Sequence, residues 1–140
     1  MKKKIVRSIS LCLLAAALLG TAAFAAMDAS KYIQTTTVSA GIIDGKVTAA
    51  CTVTATGSYD DVGIQWIEFH KADGTLVEKH KYTDPGYSYL MDHDTAGHTA
   101  VVTGPTAEPN QKYYATVSFY AGQIGVAGGG YTMDSGIVPK

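Results

Sequence analysis

Lys46-Val47-Thr48-Ala49-Ala50-Cys51-Thr52-Val53-Thr54-Ala55-Thr56 is the stretch from which the fold is read. Val47, Ala49, Cys51, Val53 and Ala55 fall on one face of a period of two, and Thr48, Thr52, Thr54 and Thr56 on the other. That alternation describes a β-strand with one face on a core and one on water. Asp44-Gly45, immediately before it, is a two-residue hairpin signal, so residues 32–43 are expected to pair with it antiparallel.

Outward from this hairpin the chain continues as short apolar runs between turn residues, without a helical period. Gly57-Ser58-Tyr59-Asp60-Asp61 reads as a loop and residues 62–71 as the next strand. There Ile64 and Trp66 share one face and Ile67 and Phe69 the other, which calls for a central strand, a bulge or a covered outer face. Asp73-Gly74 turns the chain into a strand over 76–82, and Asp84-Pro85-Gly86 breaks it. A short strand over 87–91, a polar loop over 92–97 and a strand over 98–103 follow, then a proline-containing connection over 104–110. Residues 112–121 alternate again, and a glycine-rich loop over 122–130 leads to a last strand over 131–138. Seven or eight such strands predict a single all-β antiparallel sandwich over residues 26–140. Its expected core is Val47, Cys51, Val53, Ile64, Trp66, Ala115, Val117 and Phe119.

The segment Glu108-Pro109-Asn110-Gln111-Lys112-Tyr113-Tyr114-Ala115-Thr116-Val117-Ser118-Phe119-Tyr120-Ala121 resembles the E–F corner and strand F of fibronectin type III and other immunoglobulin-like domains. The resemblance implies that the Tyr113 hydroxyl bonds back to the corner backbone. It also places Trp66, fifteen residues after Cys51, like the strand-C tryptophan that packs under the strand-B cysteine. Ala115 stands where the partner cysteine of that family would lie. Ile33-Gln34-Thr35-Thr36-Thr37-Val38-Ser39-Ala40-Gly41 and Thr52-Val53-Thr54-Ala55-Thr56-Gly57-Ser58-Tyr59 resemble segments of small secreted bacterial proteins of unknown function. Likeness of fold brings no activity with it.

The first 25 residues stand apart. Lys2, Lys3, Lys4 and Arg7 precede an apolar run over 9–20, and Ala23-Phe24-Ala25 forms an A-x-A site. This is the pattern of a cleaved secretory signal peptide, and the apolar run is short for a membrane span. Cys12 would leave with the leader, so Cys51 would be the one thiol of a secreted domain, either buried or reserved for an intermolecular bond. The C-terminus carries no hydrophobic tail, so the expected product is released outside the cell. Residues 26–140 hold seven lysines, twelve carboxylates and no arginine, a formal charge of −5. An acidic surface without arginine argues against nucleic acid and against anionic membranes as partners.

Asp92-His93-Asp94 with His98 could hold Zn²⁺ or Ca²⁺, although H-x4-H and D-x-D are unspecific spacings and a solvated polar turn is the plainer reading. Tyr87 and Tyr89, two apart on an expected strand, could form a platform for sugar rings with Asp84 and Asp92 binding hydroxyls; the plainer reading is core and scattered strand residues. Cys51 shares its parity with Val47 and Val53 and is expected to be a buried structural thiol. His70 and His80 flank the Asp73-Gly74 hairpin and could face each other as a metal clip or acid sensor, or sit half-exposed on the sheet. No G-x-S-x-G, S-x-x-K, H-E-x-x-H or P-loop is present, and the glycine-rich loop has no helix after it to cradle a phosphate. The expectation is a non-enzymatic binding module without a required cofactor, its partner an extracellular glycan or a surface protein. The alternatives are a structural protein that self-associates through sheet edges, or a small metal-binding protein.

Overall fold

A computed structural model describes residues 31–139 and the backbone of residues 23–24. The rest of the expected leader, residues 25–30 and Lys140 lie outside the described residues. The strands, in chain order, are β1 (Ala23–Phe24), β2 (Ile33–Ile43), β3 (Lys46–Lys71), β4 (Leu76–Lys81), β5 (Met91–Thr106), β6 (Tyr113–Gln123) and β7 (Ala127–Asp134). A 3-10 turn, Ser88–Leu90, precedes β5. No helix among the described residues is long and apolar enough to cross a membrane. The protein is all-β, and every strand pairing among the described residues is antiparallel.

The hairpin forms as its sequence predicts: Asp44 and Gly45 take φ 50° and 73°, and β2 pairs with β3 from Ile43↔Lys46 to Ile33↔Ala55. Val47, Ala49, Cys51, Val53 and Ala55 are all at most 4% exposed. At β3 the structure then departs from the expectation. Gly57 to Asp61 form no loop; one strand of 26 residues runs from Lys46 to Lys71. Its partner explains why. β5 pairs with β3 on both sides of this stretch, with a large bulge where Gly97 opposes Thr54 and Thr95 opposes Tyr59. The turn-forming residues are absorbed as extra length on one strand, which bends the sheet without breaking it.

The bend lets one strand serve two rows. The first half of β3 lies between β2 and β5, and the second half lies beside β6 and β4, with β7 outside β6. Side chains from both rows merge in one core, with Val38, Val47 and Val102 joining Ile64, Phe69, Val117 and Phe119. The rows meet closely at Gly104 of β5, where even a Cβ would come within 2.7 Å of the Phe69 ring.

Trp66 corrects the expected core. A bulge between Ile64 and Trp66 changes the parity of β3, so Ile64, Ile67 and Phe69 are buried together and Trp66 turns outward. Trp66 is half-buried, with the Lys79 ammonium 4.6 Å from its ring centroid and no place in the core cluster. The other seven expected core residues are buried. Residues 92–97 are strand within β5 where a polar loop is predicted, and residues 87–91 form the 3-10 turn and the start of β5 where a strand is predicted. Most of the glycine-rich stretch also belongs to the β6–β7 hairpin. Gly122 makes that hairpin possible: its φ is 147°, and a Cβ would collide with the Ala127 carbonyl and the Gly128 Cα.

Candidate functional site

The bulge in β3 and the tip of the β6–β7 hairpin face each other across a cleft of about 280 Å³. Tyr32, Ser58, Tyr59, Asp60, Gly122, Gln123 and Ala127 line it. The bulge supplies Ser58, Tyr59 and Asp60, and the start of the hairpin turn supplies Gly122 and Gln123. Tyr32 and Tyr59 meet edge to face, with centroids 5.4 Å apart at 71°. The Lys31 ammonium lies 5.0 Å from the Tyr32 centroid, and Thr56 Oγ1 is 2.8 Å from the Tyr59 hydroxyl. Crossed rings with a hydroxyl, a carboxylate and an amide suit a polyhydroxylated ligand. An aromatic face covers the apolar side of a sugar ring while the polar groups bond its hydroxyls.

Asp61, next to the lining residue Asp60, ties the two sides of this cleft together. Its Oδ2 accepts the Ile124 backbone N–H at 3.0 Å, tying the hairpin turn to β3. Its Oδ1 lies 2.8 Å from His93 Nδ1, which also reaches the Asp60 carbonyl at 3.2 Å. Both neighbours are acceptors, so Nδ1 carries the proton. The Asp61 hydrogen bond, ahead of the Asp60 carbonyl, pushes the His93 imidazole above its ordinary range.

The predicted metal cluster does not assemble. On a strand its members alternate between faces: His93 joins Asp61, while His98 Nδ1 lies 3.7 Å from Asp92 Oδ2 and His98 Nε2 lies 2.8 Å from the Tyr89 carbonyl. Asp94 is exposed, with φ 51°. No group of three or more His, Cys, Asp or Glu placed to hold a metal ion occurs among the described residues.

Tyr87 and Tyr89 come together, but not as a strand-face platform. Tyr87 stacks on His80 at 4.0 Å between centroids, and Tyr89 stacks on Tyr87 at 6.0 Å. The Tyr87 hydroxyl is 3.1 Å from His80 Nε2, which also bonds Glu78 Oε1. Burial, ahead of the carboxylates of Glu78 and Asp84, pushes the Tyr87 phenol up. Tyr87 packs against the core and Tyr89 is 45% exposed, so this row is largely wall, with one ring facing water. His70 and His80 have separate partners: His70 stacks on Tyr114 and reaches Glu68 at 3.1 Å. Cys51 is 1% exposed, and burial pushes its thiol up to about 12. The Tyr113 hydroxyl accepts the Glu108 backbone N–H at 2.9 Å.

The cleft is what sequence reading missed. Ser58, Tyr59 and Asp60 read as an ordinary loop, and Tyr32 and Gln123 lie far from them along the chain. The usable signal was the surplus of turn residues between two strands that share a partner. Family models, curated proteins and solved structures all yield no match to this chain.

Proposed function

We propose that this chain is a secreted, non-enzymatic binding module whose cleft at Tyr32, Tyr59, Asp60 and Gln123 takes an extracellular glycan. The cleft carries the reading: it sets aromatic rings edge to face beside a carboxylate, an amide and a hydroxyl, in a volume suited to one or two sugar units. Secretion is supported by the leader pattern of residues 1–25. We read the fold as an immunoglobulin-like sandwich of the fibronectin type III kind. This reading is supported by the neighbour sets β2–β3–β5 and β4–β3–β6–β7 within one continuous antiparallel sheet, and by the Tyr113 hydroxyl accepting the Glu108 N–H.

A glycan array probed with residues 26–140, with and without EDTA, tests the function. The expected hit survives chelation and is lost in both Tyr59→Ala and Asp60→Ala while the fold is kept. A hit lost to EDTA returns attention to a metal, and a blank array on folded protein removes the glycan reading in favour of a surface-protein partner.

Self-association is a second reading with its own observation. The outer edge of β2 pairs at Thr37 and Val38 with Phe24 and Ala23, inside the expected cleavage motif. Cutting after Ala25 would strip that edge, and an open edge accepts another strand. Sedimentation of residues 26–140 over a wide concentration range decides it; a strict monomer ends this reading.

A further inference from the structure

We propose that Asp61 and His93 form a latch that sets the wall of the cleft and tightens as the surroundings acidify. This rests on the reading of the cleft as the binding site. Asp61 sits in the middle of the sheet, paired through its backbone with Gly122 on one side and His93 on the other. Its side chain reaches out to the same two sides. One carboxylate oxygen holds the Ile124 N–H and the other holds the His93 ring. The turn it grips is short: Val126 N–H bonds back to the Gln123 carbonyl at 3.0 Å, so Ile124 is the point at which the hairpin tip is fastened to the body of the sheet. Gln123 and Ala127, on either side of that turn, line the cleft, and so does Asp60, whose carbonyl the same imidazole holds. One carboxylate and one imidazole therefore fix both lips.

The charges around the ring give the direction. Asp60 and Asp61 of β3 and Asp92 of β5, whose Oδ1 accepts the His93 backbone N–H, surround it, and Tyr120 of β6 lies near Asp61. Among the described residues no lysine forms an ion pair with this group, so gaining a proton on Nε2 adds attraction to the Asp61 carboxylate. His93 is raised above its ordinary value, so the cation and its pull are present at acidic pH and fade as pH rises through the folded value. The Nδ1–H persists in the neutral ring, so the latch weakens without opening. Hydrophobic residues at the tip, Ile124 at 37% and Val126 at 74% exposure, offer little packing to hold the turn otherwise.

Amide exchange of Ile124, expressed as protection relative to the unstructured amide, tests the latch without any ligand. Between about pH 8 and about pH 5.5 protection is expected to rise roughly two- to fivefold, the range of an exposed charge pair. His93→Gln, which keeps a donor but cannot charge, is expected to flatten that dependence, and Asp61→Asn to lower protection at both pH values. Equal protection across this pH range in the native chain overturns the proposal, as does an unchanged dependence in His93→Gln. Binding of an array-retained glycan should then strengthen with acid in the native chain alone; pH-independent binding overturns the coupling. A latch that responds to pH beside a blank array sinks the glycan reading and leaves the latch standing.

Discussion

Two pairs of tyrosines illustrate how one residue type serves two ends in this sheet. Tyr87 and Tyr89 sit on a 3-10 turn, and their rings lie plate upon plate with His80, so each ring covers its neighbour's face. Tyr32 and Tyr59 come from the two edges of a bulged region and meet edge to face, beside an open cleft. Stacking in a row consumes the faces a sugar would need, and a crossed pair leaves them to line a space. Sequence spacing pointed to the first pair because i and i+2 share a strand face, but no strand forms there.

The sharpest break in this comparison is Tyr87→Ala against Tyr59→Ala. Tyr87 packs on the core and bonds His80, so its loss is expected to cost about 2–3 kcal/mol of stability. Tyr59 also packs against the core and bonds Thr56, so Tyr59→Ala should cost a similar amount, about 2–3 kcal/mol. Unlike Tyr87→Ala, it should also abolish glycan binding. Paired urea denaturation curves and the glycan array check both; loss of glycan binding in Tyr87→Ala as well would erase the distinction between wall and cleft. Gly122→Ala comes next. Its positive φ and the crowding by Ala127 and Gly128 predict a loss of about 1–3 kcal/mol, with the amide signals of Gln123 and Ala127 displaced. Tyr113→Phe, which removes the corner bond to Glu108 from a side chain 1% exposed, should cost about 1 kcal/mol in the same denaturation assay.

Smaller effects are expected from titration. Chiefly its bond to Lys79, with His70 adding to it, holds the Glu68 carboxyl below its ordinary value of 4.5. A lowered folded value means this stabilisation is complete above the unfolded value and is lost as pH falls through the folded one. Glu68→Gln should therefore soften the fall of stability below about pH 4.5 and leave the neutral range nearly level. Cys51 gives the least change of all: with its thiol pushed up to about 12 inside the core, folded protein should resist iodoacetamide at neutral pH. Rapid labelling of the native chain would contradict the burial.

The alternation from Val47 to Ala55 and the Asp44-Gly45 turn carry their own instructions, since strand parity and positive φ are local properties. The hairpin, the inward Cys51 and the all-β antiparallel class were legible for that reason. Other features depend on what lies across the strand. Parity in β3 is reset by a bulge at Ile64 and Trp66, which puts Phe69 inside and Trp66 outside. Gly57 to Asp61 stay within the strand, across a shift of register, because β5 pairs with β3 on both sides, although their composition suits a loop. The same continuity spread Asp92, His93, Asp94 and His98 along a strand, separating residues that a loop would have gathered. The cleft joins positions 32, 58–60 and 122–127 through pairings that span the chain. Local sequence determines which face a residue takes within a strand; the hydrogen-bonding partner determines where that strand bends, and here the bend made the cleft.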